Sequence, residues 1–339
     1  MKKKVSTTPT FSVHLLQSPV WQKYEELEGH ETIRLEGEDY AIYASFCKTP
    51  FANYFFAPYG PAAASKSALR SALEALSSHA TTKNATFIRI EPTLPLSSSE
   101  MAEIARQLKL KIKKSHDLDP KHTWQLDLTP SQEELLGAIN PNKTRPWRNH
   151  AKKHLQIRTS KKPEDVTILT NLLKKIGQTN HFTPQTEQHL KNQLKSGFAT
   201  LYIVDLIADS PKNAKTEASA ATTPIAAALV YDYDHTRYYA HAAADFEHRK
   251  LEAGAIILLQ SILDAKADGK QIYDFWGITT STDPHHPWYG FTKFKKSFGG
   301  HQVDYAGTYD LILKPFRYTC YSLLRKLNRV LRKLKNRHA

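Results

Sequence analysis

The chain has 339 residues, enough for two domains of ordinary size, and its 40% hydrophobic and 10% aromatic content excludes a disordered polymer. A formal net charge of +14 and an isoelectric point near 9.5 direct it toward polyanions: nucleic acid, pyrophosphate or an acidic membrane. Its two cysteines, Cys47 and Cys320, give no disulfide framework, and no run approaches the roughly 20 apolar residues that span a bilayer.

The N-terminal MKKKVSTTPTFSVHLL has the charge of a secretion signal but a polar stretch where an apolar core should be. The chain is therefore expected in the cytoplasm, free or at the inner face of the membrane. Ser18-Pro19 opens a first helix with a cap and a first-turn proline, and Trp21, Tyr24 and Leu27 form its apolar side. Strands are expected at 39–47 and 52–58, a helix at 62–80, a strand at 86–91 ended by Pro92, a helix from Ser98 or Ser99 to about Leu110, and a strand at 123–128. After Asp127 the pattern restarts: a helix opened by Thr129-Pro130-Ser131 and running to Ile139, a break at Asn140-Pro141-Asn142, a basic helix at 144–154 and a strand at 155–158. Helices at 163–176 and 184–195 and strands at 198–207, 225–232 and 236–243 follow. A helix at 249–267, a strand at 272–276, a short helix bearing phenylalanines and strands at 301–306 and 308–313 complete the run. The stretch 209–224, small and polar, reads as a flexible surface insertion. Alternating helices and strands make an α/β (α+β) protein, with mixed sheets flanked by helices.

The stretch from Tyr273 to Asp310 concentrates the chemistry. On a 3.6-residue period Phe291, Phe294 and Phe298 share one face, and Lys295 projects within about 40° of it. An ammonium beside phenyl rings is costly unless an anion meets it; the alternative is a stem packed on the rings with its head in solvent. Gly299-Gly300 stops the helix where φ > 0 is wanted. Upstream, Lys143-Thr144-Arg145 sits at the mouth of a helix, with Arg148 and Lys152 further on. There a Thr144 cap, free backbone N–H groups and Arg145 would make an anion site, against the commoner fate of a solvated basic helix.

Asp274-Phe275-Trp276-Gly277, Phe294-Lys295, Phe298-Gly299 and Gly307-Thr308-Tyr309-Asp310 stand in the order of the C-terminal signature of the FemABX family, which this chain resembles over about residues 11–313. The element order likewise resembles GNAT-type acyltransferases, so tandem GNAT-like domains are expected: 1–128, then 129–313 with the substrate site. The basic amphipathic helix at 314–339 has its apolar stripe at Leu323, Leu324, Leu327, Val330, Leu331 and Leu334. It packs back on the first domain, lies on an anionic membrane or contacts RNA, and no spacing decides among them.

The resemblance implies an aminoacyltransferase of the short, arm-less type. It would move an amino acid from aminoacyl-tRNA to the stem-peptide amine of a peptidoglycan precursor, lipid II or UDP-MurNAc-pentapeptide, in interpeptide bridge formation. No cofactor beyond the aminoacyl-tRNA co-substrate is implied, and a monomer is expected. Lys295, held by Phe294 against the core, is expected at the oxyanion or the nearby phosphate, and the two are the expected catalytic residues; the resemblance implies the rest of the site. Lys143, Thr144, Arg145 and Lys23 (in Trp21-Gln22-Lys23) face the precursor's phosphates or uridine. Tyr239 and His241 stand for a Tyr-x-Tyr on a central strand, where alternate side chains share a face, and Glu91 stands where relatives carry an aspartate before Pro92. His241 for tyrosine, Glu91 for aspartate and Thr308 for an acid depart from the pattern.

The 16 histidines bring no set of converging ligands at metal spacing, so no metal is expected. No Gly-x-Ser-x-Gly, Cys/His dyad or P-loop occurs. Two other classes stand beside the transferase. One is an acetyl-CoA-dependent N-acyltransferase, for which Glu252-Ala253 is a poor pyrophosphate cradle; the other is a non-catalytic RNA- or membrane-binding protein.

Overall fold

The structure, a computed structural model, describes residues 11–180, 183–208 and 221–335. In chain order the elements are α1 (Pro19–Leu27), β1 (Thr32–Glu36), β2 (Tyr40–Lys48), β3 (Asn53–Ala57), β4 (Ala62–Ala63), α2 (Lys66–Thr82), β5 (Phe87–Ile90), α3 (Ser98–Gln107) and β6 (Lys111–Lys114). They continue as β7 (His122–Asp127), α4 (Gln132–Ala138), α5 (Pro141–Arg148), β8 (Leu155–Ser160), α6 (Val166–Asn180), α7 (Glu187–Lys195), β9 (Ala199–Ile207), β10 (Thr222–Tyr233) and β11 (Thr236–Ala244). The last are α8 (Ala253–Ala267), β12 (Ile272–Gly277), α9 (Tyr289–Lys296), β13 (His301–Asp304), β14 (Tyr309–Ile312) and α10 (Pro315–Lys335).

These elements form two units, each a seven-stranded mixed sheet flanked by helices, the mixed α/β architecture expected. Their membership departs from chain order. The first unit runs to Lys121 and resumes at Asp304; the second spans His122–Val303. The expected boundaries at 128 and 313 move because two strands pair far from their sequence neighbours. β7 joins β12 (Asp127↔Ile272), and β14 inserts between β5 and β6, with Tyr309 opposite both Ile90 and Lys114.

The first sheet runs β1-β2-β3-β5-β14-β6, with β4 on β2. Ala68, Leu69, Ala72, Leu73 and Leu76 recur at helical spacing on α2 and are buried against Ile42, Phe55, Ile88, Ile90 and Leu311. The other face takes α10, whose Tyr318 and Tyr321 pack on Phe87 and Tyr54. Asp310 of the closing motif is buried there, clamped by Arg89 through two bonds of 2.7 and 2.8 Å and by the Tyr318 hydroxyl at 2.8 Å. Neither β1 nor β6 was expected; β6 is Lys-Ile-Lys-Lys, an edge strand whose lysines keep it in water.

The second sheet runs β13-β7-β12-β11-β10-β9-β8. Its core is the apolar run of α8, Ile256 to Leu263, packed on Tyr202, Val204, Ala228, Val230 and Tyr239. The expected insertion is shorter than 209–224, since Thr222–Pro224 already belong to β10; residues 209–220 lie outside the described residues. So do the first ten residues, the last four, and the side chains of Val330, Leu331 and Leu334. Among the described residues no helix is long and apolar enough to cross a membrane.

Candidate functional site

β11 pairs with β12 in parallel only from Thr236↔Ile272 to Tyr238↔Asp274, whereas its ladder with β10 continues to Ala226↔Ala244. From Tyr239 onward one side of β11 is therefore open. A cavity of about 910 Å³ occupies the gap, lined by Tyr239, Ala240, Ala242 and Ala244 of β11, Trp288, and Phe291, Phe294 and Lys295 of α9. Its strand wall is mostly alanine, where strands usually carry branched or aromatic side chains, and that missing volume is the cavity.

The local sequence explains how Lys295 is held. Asp274, buried in β12, accepts hydrogen bonds from Thr123, from Gln125 at 2.9 Å and from the Trp276 amide at 2.7 Å. The last bond closes a local turn that holds Trp276 at φ 64°, a left-handed conformation costly for a bulky residue. The Trp276 ring sits edge-on to Tyr231 and Tyr238. The turn breaks the β7–β12 register between Asp274 and Gly277. The Gly277 carbonyl, just past it, accepts the Lys295 ammonium at 2.7 Å. Downstream, Gly299 and Gly300 take φ of 82° and 94°, and a Cβ on Gly300 would stand 2.3 Å from the Gln125 carbonyl oxygen, so the stop expected after α9 requires glycine.

Lys295 is partly buried, with its ammonium 4.9 Å from the Phe291 ring centroid. Burial lowers its pKa from 10.5 to about 8, with the Asp274 charge opposing. Among the described residues no carboxylate forms an ion pair with it. The expectation that Phe294 seats this lysine is corrected: Phe291 does. Phe294 packs on Phe298 and faces the Lys143 ammonium at 5.6 Å. Lys143 is also 3.5 Å from Glu252, and with Phe294 it lines a smaller cavity of about 300 Å³ at the start of α8.

The other expected residues separate. Thr144 is buried inside α5 and donates to the Pro141 carbonyl; the cap is Asn140, which accepts from the Asn142 amide at 2.9 Å. Arg145 is exposed on α5, beside a shallow cavity shared with Lys152 and Lys153. Tyr239 and His241 do not share a face. A β-bulge leaves Ala240 unpaired between Tyr239↔Val230 and His241↔Leu229, so the alternation slips by one. Tyr239 faces α8 and the large cavity, while His241 lies 6.1 Å edge-on from Tyr231 on the opposite face. Burial takes the His241 pKa down to about 4, leaving the ring neutral at pH 7. The Tyr239 hydroxyl, its pKa raised by burial, makes no hydrogen bond among the described residues.

Glu91 and Lys23 belong to the first unit. Lys23 is exposed on α1. Glu91 is buried, and one of its oxygens accepts from the Leu118 and Asp119 amides, both at 3.2 Å, and from Thr308 Oγ1 at 2.6 Å. That oxygen is committed to internal donors, and Thr308 is one of them. Burial and the Glu91 charge hold the neighbouring Asp119 carboxyl well above its usual range.

Within the second unit the structure thus gathers Lys295, Phe294, Tyr239 and Lys143. Sequence reasoning placed Phe291 among the rings beside Lys295 but missed the Gly277 carbonyl as the partner of Lys295 and Glu252 as that of Lys143. It also missed the alanine wall, whose signal was the run Ala242-Ala243-Ala244 in a strand. Among the described residues no group of three or more His, Cys, Asp or Glu could hold a metal ion.

A comparison with curated proteins gives no significant match. Among solved structures the chain is similar to FemX, with a TM-score of 0.77 and 19% identity over 92% of this chain and 95% of that one. It is also similar to L-PGS from Bacillus licheniformis, with a TM-score of 0.52 and 9% identity over 88% of this chain and 92% of that one. At these identities the likeness is one of fold. The profile of the FemAB family matches residues 149–326, more than half of the sequence, and the chain belongs to the FemAB family.

Proposed function

We propose that this protein is a cytoplasmic aminoacyltransferase that moves an amino acid from aminoacyl-tRNA to the stem-peptide amine of a peptidoglycan precursor. The observation that carries the reading is the Lys295 ammonium at the wall of an apolar cavity, tethered by a backbone carbonyl and, among the described residues, by no ion pair, in a chain of this family. An ester of tRNA is already activated, so the site needs to position an amine and stabilise a tetrahedral oxyanion. The acceptor amine attacks the ester carbonyl carbon, a C–N bond forms, and the carbonyl π pair moves onto oxygen. Lys295 donates to that oxyanion. Collapse breaks the C–O bond, and the ribose oxygen leaves with the proton given up by the amine nitrogen. With a pKa of about 8, Lys295 is still predominantly charged at pH 7 and is a better acid than an exposed lysine.

Tyr239 supplies to the same cavity a hydroxyl without a partner among the described residues, while Lys143 and Arg145 are the cations of this unit offered to the precursor's phosphates. Glu252 caps α8 in the left-handed region with its carboxylate beside Lys143, which places negative charge where acetyl-CoA would bring its pyrophosphate.

The test offers the purified protein each charged tRNA, with lipid II and with UDP-linked pentapeptide, and weighs the product. Transfer is expected, and Lys295→Ala should lower it about a hundredfold or more while leaving tRNA affinity unchanged. Acetylation of an amine from acetyl-CoA, with no transfer from any charged tRNA, would overturn the reading.

A further inference from the structure

We propose that α10 is a docking surface for an anionic lipid bilayer. The helix runs for 21 residues, and its first turns are fixed to the first unit on one side only, through Tyr318 and Tyr321. At 100° per residue Phe316, Leu323 and Leu327 fall within about 20° of one line, nearly opposite Tyr318. Those three side chains are 82%, 60% and 54% exposed, so the stripe that a helix normally buries is the one turned to water. Of the alternatives open for the leucines, Leu323 and Leu327 do not pack back on the fold: the docked face is aromatic, and these two are presented. The same spacing recurs in the sequence at Val330 and Leu334.

Charge identifies the occupant. From Lys314 to the end the sequence holds nine Lys/Arg and no Asp or Glu, and Arg317 and Lys326 are exposed beside the stripe. A second copy of the helix would set like charges against one another. A nucleic acid would use the cations but leave the phenylalanine and leucines in water. A bilayer of acidic lipids uses both, with headgroup phosphates meeting the cations and the acyl boundary taking the apolar line. A peripheral helix of this kind would hold the protein where lipid-linked substrates reside, a role independent of the chemistry at Lys295.

The experiment is co-sedimentation of the full chain with vesicles of phosphatidylglycerol and phosphatidylcholine (1:1), or of phosphatidylcholine alone. The chain is expected to pellet with the acidic vesicles and at least tenfold less with the neutral ones. The double variant Leu323→Asp/Leu327→Asp, checked for native circular dichroism, should bind acidic vesicles at least tenfold more weakly. Lys326→Gln, which leaves the apolar line intact, should weaken binding about fivefold. Failure of the chain to bind acidic vesicles, or equal binding by the double aspartate variant, overturns the proposal. So does a vesicle-free dimer, or an RNA complex, that the double variant abolishes while vesicle binding persists.

Discussion

Replacing Lys295 by methionine should make the protein more stable and inactive. Methionine keeps a flexible stem against Phe291 and removes the charge. The fall of the Lys295 pKa from 10.5 to about 8 corresponds to about 3 kcal/mol held against its charged form at neutral pH. Leaving the Gly277 carbonyl without its donor returns about 1–2 kcal/mol of that gain. The expected net is a stabilisation of about 1–2 kcal/mol at pH 7. The pH dependence has a definite sign. Between about 8 and 10.5 the unfolded chain holds a proton that the folded lysine has given up, so wild-type stability rises with pH through that window. The methionine variant has no such proton to lose, and its advantage shrinks over the same window. Urea unfolding of both proteins at pH 7 and pH 10 measures the difference, and the transfer assay measures the loss of activity. An advantage that is equal at the two pH values, or a variant less stable than wild type at pH 7, would show that the ammonium bears no such penalty.

Two further outcomes follow from the same geometry. Arg89→Met strands the buried Asp310 carboxylate and should cost about 3–5 kcal/mol in the unfolding transition of the first unit, followed by urea denaturation with tyrosine fluorescence. Tyr239→Phe removes a hydroxyl with no partner among the described residues, so kcat/KM for transfer should fall about tenfold or more with the melting temperature within about 2 °C of wild type. A marked loss of stability would instead assign that hydroxyl a structural role.

Local signals were legible in part: Asn140 rather than Thr144 caps α5, and Ser97 rather than Ser98 or Ser99 caps α3. Ser18 caps the helix it was expected to cap, the helix expected to open at Thr129-Pro130-Ser131 starts with Ser131 as its cap, and the glycine pair after α9 takes positive φ. The lysine singled out by its place among phenylalanines does line a cavity. What the sequence withheld depends on pairing across distance. Nothing in the run 308–313 says that its partners are residues 87–90 and 111–114, and the Arg89–Asp310 bond joins positions 221 apart. The bulge at Ala240 is likewise invisible to a period-2 reading, which therefore put His241 on the wrong face. Glu91 was expected at the site because it stands where relatives carry an aspartate before a proline; the donors that occupy one of its oxygens come from residues 118, 119 and 308, out of reach of a local reading.

The route of β14 bears on synthesis. Its place between β5 and β6 means that the segment up to Lys121 emerges from the ribosome lacking an interior strand, with the rim of β5 uncovered. The uninterrupted segment 122–303 is complete before that strand is translated. Residues 11–121 must therefore wait, with a sheet edge uncovered, until residues 309–312 are made. Nascent chains stalled just short of 309 should accordingly be the most protease-sensitive in that segment.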